Sequence, residues 1–82
     1  MSGAWRTHPD ARRKLQALGD AIRKARDVRG LSQEELALRA GLHRTYVSNL
    51  ERGQINPTLL SMYTLAEALE TTVVAFLRAD ER

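Results

Sequence analysis

The sequence contains no cysteine, so neither disulfide bonds nor thiolate metal sites are available to it. Its only histidines are His8 and His43, and no acidic cluster accompanies either, so we expect no metal site and no cofactor. No apolar run approaches the ~20 residues needed to cross a bilayer, and no N-terminal apolar core of the signal-peptide type is present. These absences favour a soluble, cytoplasmic protein.

Patterns typical of catalysis are also missing. The chain shows no nucleophile–base pair, no cluster of metal ligands and no glycine-rich phosphate loop, which makes an enzyme the weakest functional class. Positive charge is present instead, with a formal net charge of +3 and an isoelectric point near 10.0. Residues 12–29 hold most of it in one predicted helix, which suits a polyanion but is equally typical of a solvated helix face. That segment carries Arg12, Arg13, Lys14, Arg23, Lys24, Arg26 and Arg29 against only Asp20 and Asp27.

The length of 82 residues suits a single domain. Residues 1–9 lack periodicity and are predicted to be a flexible arm, which leaves residues 10–82 for the folded domain. Asp10 is predicted to cap a first helix over 10–29, in which Leu15, Leu18, Ile22 and Ala25 form an apolar stripe. No segment alternates in the manner of a strand, so the predicted fold is all-α.

Four further helices are marked by their start signals. Ser32 and Glu35 have capping-box spacing, so a second helix is predicted from here to Gly41. A third begins near His43 and ends at Gly53. Thr58 and Thr72 are predicted to cap the fourth and fifth helices. The predicted buried stripe of the fourth helix comprises Leu59, Met62, Leu65, Ala66 and Leu69.

Residues 33–52 have the spacing of a helix-turn-helix. Leu36 and Ala40 share one face of the second helix, Val47 and Leu50 share one face of the third, and the small Ala37 lies where the helices cross. Gly41 provides the positive φ that a tight turn requires. The outer face of the third helix is then presented to solvent, and it carries Arg44, Thr45, Ser48 and Asn49.

These side chains suit the major groove of DNA. Arginine can bond guanine through two atoms, asparagine can do the same for adenine, and threonine can meet a thymine methyl. No acid interrupts the first turn of the third helix, and helix N-termini favour phosphate. Gln33, at the start of the second helix, is placed for one such phosphate contact.

The chain resembles the Xre or phage-repressor family of helix-turn-helix proteins over residues 18–77. The resemblance lies in the segments Gly-Leu-Ser-Gln-Glu-Glu-Leu-Ala from Gly30, Ala-Gly-Leu-His-Arg-Thr-Tyr-Val-Ser-Asn-Leu-Glu-Arg-Gly from Ala40, and Asn-Pro-Thr from Asn56. It implies a five-helix bundle of the lambda-repressor type that binds double-stranded DNA and regulates transcription. Among its members, the controller proteins of restriction-modification systems are similarly short and often have an Arg-Thr-Tyr-Val-Ser-like run.

The resemblance also implies a role for particular positions. Arg44, Thr45 and Asn49 would read bases, with His43 and Ser48 contributing contacts to bases or phosphates. Gln33 would bind phosphate, as would the loop over residues 52–56. Arg26 and Glu51 would form a structural ion pair between the first and third helices. The phosphate-binding candidates in the loop are Arg52, Gln54 and Asn56.

One recognition helix reads only about four base pairs, so we expect a homodimer on a pseudo-palindromic operator. Leu60, Tyr63 and Val74 lie off the predicted core stripes and are the candidate interface, although they could instead complete the core of the monomer. RNA polymerase is a further candidate partner. Two alternative functions stay open: the antitoxin of a toxin–antitoxin pair, and a protein-interaction module that has lost DNA binding.

Overall fold

The computed structural model describes residues 7–80, and every regular secondary-structure element within that range is a helix. The predicted five-helix architecture is confirmed, and a short 3-10 helix follows the fifth helix. Most of the arm predicted over residues 1–9 lies outside the described residues. The helices are α1 (Ala11–Val28), α2 (Gln33–Ala40), α3 (Arg44–Glu51), α4 (Leu59–Ala68) and α5 (Val73–Leu77), with the 3-10 helix at Arg78–Asp80.

Side-chain caps set the starts of α2, α4 and α5, as predicted. The Ser32 hydroxyl accepts from the Glu35 backbone N–H at 3.0 Å, and the Glu35 carboxylate accepts from the Ser32 backbone N–H at 2.8 Å. The hydrogen bond that the carboxylate accepts from the Ser32 backbone is the main cause that lowers the pKa of Glu35. Thr58 and Thr72 each accept a backbone N–H three residues later, at 3.1 Å. These caps satisfy N–H groups that have no partner within the helix.

The prediction that Asp10 caps α1 is wrong. Asp10 precedes the helix, but its side chain accepts no backbone hydrogen bond there. Its backbone is in the right-handed helical region, with φ −98° and ψ −6°, rather than in the extended conformation of a capping residue. The Asp10 backbone N–H donates instead to His8 Nδ1 at 3.1 Å, within a turn that precedes the helix.

One core lies between the helices, with α2 packed on α3 and α4, and α1 packed on α3 and α5. The predicted stripe of α4 is largely correct, but Leu59 is 60% exposed and does not belong to it. Leu59 is the first residue of the helix, so it lies at the end of the stripe, where most of its side chain meets solvent. The largest fully buried side chains are Ile22, Leu36, Leu50, Leu65, Leu69 and Val47, and each such burial contributes roughly 1.5–3 kcal/mol.

The close approach of α1 to the end of α3 depends on Gly19, a residue that the sequence analysis did not single out. A Cβ atom built on Gly19 would lie 2.5 Å from the Leu50 carbonyl oxygen and 2.6 Å from the Glu51 carbonyl oxygen. Both neighbours are backbone atoms, which cannot rotate out of the way. The two helices can therefore touch at this point only because the side chain is absent.

We expect Gly19→Ala to destabilise the protein by about 3 kcal/mol, because the added methyl group overpacks a backbone contact. The sign of the change in unfolding free energy makes the test decisive, since glycine to alanine in an unconstrained helix interior would stabilise the protein by about 1 kcal/mol. Gly41→Ala is the matched control. A Cβ there meets nothing within 4 Å, so only the cost of a left-handed residue, about 1–2 kcal/mol, applies. Urea unfolding measures both changes, and a stabilised Gly19→Ala protein would contradict the packing described.

Candidate nucleic-acid interface

A three-residue turn over 41–43 separates α2 from α3 and changes the direction of the chain. Gly41 has φ 72° and ψ 31°, a left-handed conformation that ends α2. The Leu42 backbone N–H donates to the Ala37 carbonyl at 2.9 Å and closes the turn. Ala37 is itself buried, and its small side chain lets the two helices approach. The break at Gly41 and the crossing at Ala37 therefore form the helix-turn-helix that the spacing predicted.

The inner face of α3 is buried and its outer face is open. Val47 and Leu50 are completely buried, so the rotation of the helix about its axis is determined by the core. We define the recognition face as the four residues on the other side of α3. Arg44 and Thr45 on this face are exposed, whereas Ser48 and Asn49 are half-buried at its edge. The recognition face consists of Arg44, Thr45, Ser48 and Asn49.

Asn49 is not an isolated side chain on this face. Its Oδ1 accepts a hydrogen bond from the Arg52 guanidinium at 2.5 Å. An asparagine amide can accept through its oxygen and donate through its nitrogen. The bond from Arg52 therefore orients the amide with its oxygen toward the end of α3. Arg52, which the resemblance assigned to phosphate, is thus also a neighbour of a base-reading candidate.

The N-terminus of α3 is positively polarised and carries no acid in its first turn. His43 occupies the capping position with an extended backbone, yet its side chain makes no capping hydrogen bond. The first backbone N–H groups of the helix are therefore left without a side-chain acceptor at this end. His43, Arg44 and Thr45 are all exposed here, a setting that favours an anion.

The ion pair between Arg26 and Glu51 that the resemblance implied is present and bidentate. Arg26 Nε donates to Glu51 Oε2 at 2.7 Å, and Arg26 Nη2 donates to Glu51 Oε1 at 2.9 Å. The Glu51 side chain is only 3% exposed and that of Arg26 13%. Arg26 Nη1 also donates to the Leu31 carbonyl at 2.8 Å. The hydrogen bond to Glu51 is the main cause that raises the pKa of Arg26 above its usual value.

Gln33 joins this ion pair, which the sequence analysis did not foresee. Its Nε2 atom donates to Glu51 Oε1 at 3.0 Å. The half-buried Gln33 is the first residue of α2, so this bond connects the start of α2 to the end of α3. The Glu51 carboxylate therefore links three helices, through Arg26 of α1, Gln33 of α2 and its own position in α3. We call these three residues the Glu51 cluster.

The loop after α3 exposes the side chains of Arg52, Gln54 and Asn56, as expected for phosphate-binding candidates. Two backbone N–H groups of this loop have acceptors within the protein. That of Gly53 donates to the Leu50 carbonyl and that of Gln54 to the Asn49 carbonyl, both at 3.0 Å. These two donors are therefore occupied by the end of α3 and are not available to a phosphate.

The basic segment of α1 divides between packing and solvent. Arg26 belongs to the Glu51 cluster, and Arg29 donates to the Leu69 carbonyl at 3.1 Å and pairs with Glu70 at 3.4 Å. Arg26 thus connects α1 to α3, and Arg29, which directly follows α1, connects its end to the residues that directly follow α4. Arg12, Arg23 and Lys24 are exposed. The charge of the segment is therefore only partly available to a polyanion.

Exposed apolar side chains concentrate on α4 and α5, which pack on each other. The predicted interface residues Leu60, Tyr63 and Val74 are 72%, 53% and 57% exposed, so they do not complete the core of the monomer. Leu60 and Tyr63 are three residues apart and share one side of α4. We call the five exposed large apolar residues of α4 and α5 the C-terminal apolar patch: Leu59, Leu60, Tyr63, Val74 and Leu77.

Residues 7–80 contain no group of three or more His, Asp or Glu side chains arranged to hold a metal ion. Within the same range, every helix is too short or too polar to span a bilayer.

Comparison with known proteins gives consistent matches. Residues 22–76 match the family model described as helix-turn-helix. The control protein C.SmaI of Serratia marcescens is 45% identical over 58 residues, which cover 71% of this chain and 69% of that protein. The immunity repressor protein of Bacillus phage phi105 is 38% identical over 58 residues, 71% of this chain and 40% of its own length.

A solved structure agrees with these sequence matches. The restriction-modification controller protein C.AhdI from Aeromonas hydrophila has a crystal structure that superposes with a TM-score of 0.74 at 42% sequence identity. The match covers 76% of this chain and 94% of that one. Its extent shows that the packing of the helices, and not only the motif, is shared.

Proposed function

This chain is a DNA-binding transcriptional regulator of the helix-turn-helix family, and we propose that it acts as a homodimer on a pseudo-palindromic operator. The observation that carries the proposal is the orientation of α3. Its apolar residues Val47 and Leu50 are fully buried, which leaves the recognition face as the only side available to a major groove. The major groove of B-form DNA is wide enough to admit an α-helix.

We propose that the recognition face reads bases and that its surroundings hold the DNA backbone. Arg44 is suited to guanine, and Thr45 can contact a thymine methyl group. Asn49 and Ser48 lie one turn further along α3 and reach the adjacent bases. His43 at the open N-terminus of α3, Gln33 at the start of α2, and the loop side chains Arg52, Gln54 and Asn56 supply contacts to phosphates.

We further propose that the second copy docks on the C-terminal apolar patch. A twofold axis there would bury the same residues on both copies, as an isologous interface requires. Two recognition helices must then be about 34 Å apart to enter successive major grooves on one side of the duplex. The resulting dimer would read two half-sites, which supplies the specificity that a single short helix lacks.

Within the family, we propose a controller-type role in the cytoplasm, with RNA polymerase as a further partner. The support is the similarity to C.SmaI and C.AhdI, of which this chain covers 69% and 94% respectively. Regulation would then follow the concentration of the protein, since occupancy of paired sites rises steeply with the concentration of dimer.

Arg44→Ala should cost about 1–3 kcal/mol of DNA-binding free energy and relax the preference at one base position in each half-site. Selection of bound sites from random duplexes, followed by titration on the selected duplex, measures both effects. The control is Arg23→Ala, which removes the same charge from an exposed position of α1. It should leave the base preference unchanged. An unaltered selected sequence with Arg44→Ala would refute the assignment of the recognition face.

Val74→Asp should weaken dimerisation and DNA affinity together, because it places a charge in the C-terminal apolar patch. Val28→Asp makes the same chemical change at a valine that is 85% exposed outside the patch, and it should leave the dimer intact. Sedimentation equilibrium reports the oligomeric state. Separate titrations of the protein with a full operator and with a single half-site show whether the loss of DNA affinity comes from the loss of the dimer. A Val74→Asp protein that remains as dimeric as the unaltered chain would disprove this interface.

A further inference from the structure

The carboxylate of Glu51 does more than pair with Arg26. Its Oε1 atom accepts two hydrogen bonds, from Arg26 Nη2 at 2.9 Å and from Gln33 Nε2 at 3.0 Å, while Oε2 accepts from Arg26 Nε at 2.7 Å. The two bonds from the planar guanidinium fix the plane of the carboxylate. With its side chain 3% exposed, Glu51 has little room to adopt another rotamer. The acceptor offered to Gln33 therefore has a fixed position.

The amide nitrogen of Gln33 carries two N–H groups, and one of them is occupied by Glu51. Among the described residues, Glu51 is the only hydrogen-bond partner of the Gln33 side chain. The residue is half-buried rather than sealed, and no hydrogen bond within residues 7–80 uses its remaining N–H. A side chain that would otherwise sample many rotamers is thus held with one donor unused, at the N-terminus of α2.

We propose that Glu51 is a positioning residue for DNA binding, which holds the Gln33 amide so that its second N–H donates to a backbone phosphate. This inference rests on the proposed function, because it assumes that a DNA backbone passes the start of α2. Preorganisation of a flexible donor lowers the entropy lost on binding. The same carboxylate anchors α3 through Arg26, so the phosphate contact and the base-reading helix share one fixed point.

A purely architectural Glu51 makes a different prediction from a positioning Glu51. In the architectural case, the contribution of Gln33 to affinity is independent of Glu51 as long as the protein folds. In the positioning case, that contribution disappears when Glu51 can no longer accept a hydrogen bond. The two cases are separated by measuring the effect of Gln33→Ala in two backgrounds.

The test background is Arg26→Met/Glu51→Met, which replaces a buried ion pair by apolar side chains of similar length, a change that is often tolerated. In the unaltered background, Gln33→Ala should weaken affinity for the selected operator about tenfold, as expected for one hydrogen bond to a charged group. In the Met/Met background the same substitution should weaken it by less than about twofold. Equal effects in both backgrounds would overturn the proposal.

The conservative variant Arg26→Met/Glu51→Gln tests rescue. It removes the ion pair but keeps an oxygen acceptor at the position that Gln33 needs. We expect it to restore most of the tenfold effect of Gln33→Ala, because the acceptor and not the ion pair positions the amide. An effect as small as that in the Met/Met background would contradict the proposal.

Substitution of single phosphates in the operator measures an effect on affinity that a loss of protein stability alone would not produce. Methylphosphonate is placed at one phosphate at a time in the selected operator. One position in each half-site should weaken binding of the unaltered protein and have no effect on Gln33→Ala or on the Met/Met variant. Sensitivity of the Met/Met variant at that same position would overturn the proposal. Absence of salt-dependent binding of the unaltered chain to any duplex would instead refute the proposed function itself.

The unaltered protein offers a second test that does not depend on any variant folding. Nuclear magnetic resonance of the Gln33 side-chain amide should show one Nε2 proton protected from exchange in the free protein. The other proton should become protected only when the operator is added. Equal, rapid exchange of both protons in the free protein would overturn the proposal.

Discussion

A buried carboxylate holds this fold together at one point. Glu51 lies at the end of α3, accepts hydrogen bonds from α1 and α2, and is almost inaccessible to water. A buried ion pair adds little net stability, but removing one partner costs about 3–5 kcal/mol. The three helices must therefore meet in one arrangement to satisfy it. Gly19 permits that arrangement, because α1 can press directly on the Leu50 and Glu51 carbonyls.

The function of the molecule follows from this constraint on α3. With its end held at Glu51 and its inner side held by Val47 and Leu50, the helix has one free face. The sequence of that face combines a guanidinium, an amide and hydroxyl groups, which are the side-chain groups that distinguish base pairs. The position of α3 and the chemistry of its outer face are thus set by different residues, so a substitution on the recognition face need not change how the helix is held.

Local signals made much of the fold predictable. The Ser32–Glu35 capping box, the threonine caps and the left-handed Gly41 depend on residues within a few positions of one another, and each was found where the spacing indicated. The contact at Gly19 was not predicted, because a glycine inside a helix shows no sign of what packs against it. The exposure of Leu59 was missed for a related reason, since periodicity gives the side of a helix but not where its cover ends.

The candidate site was predictable in composition but not in connectivity. Its exposed residues follow from helix periodicity, and the Arg26–Glu51 pair was implied by resemblance. The bond from Gln33 to Glu51 links positions that are 18 residues apart, so only the folded structure shows it. Nuclear magnetic resonance titration of the labelled protein with its selected operator tests the central claim most directly. We predict that amide shifts concentrate at Arg44, Thr45 and Asn49. Shifts confined to the exposed basic residues of α1, with α3 unchanged, would contradict the account.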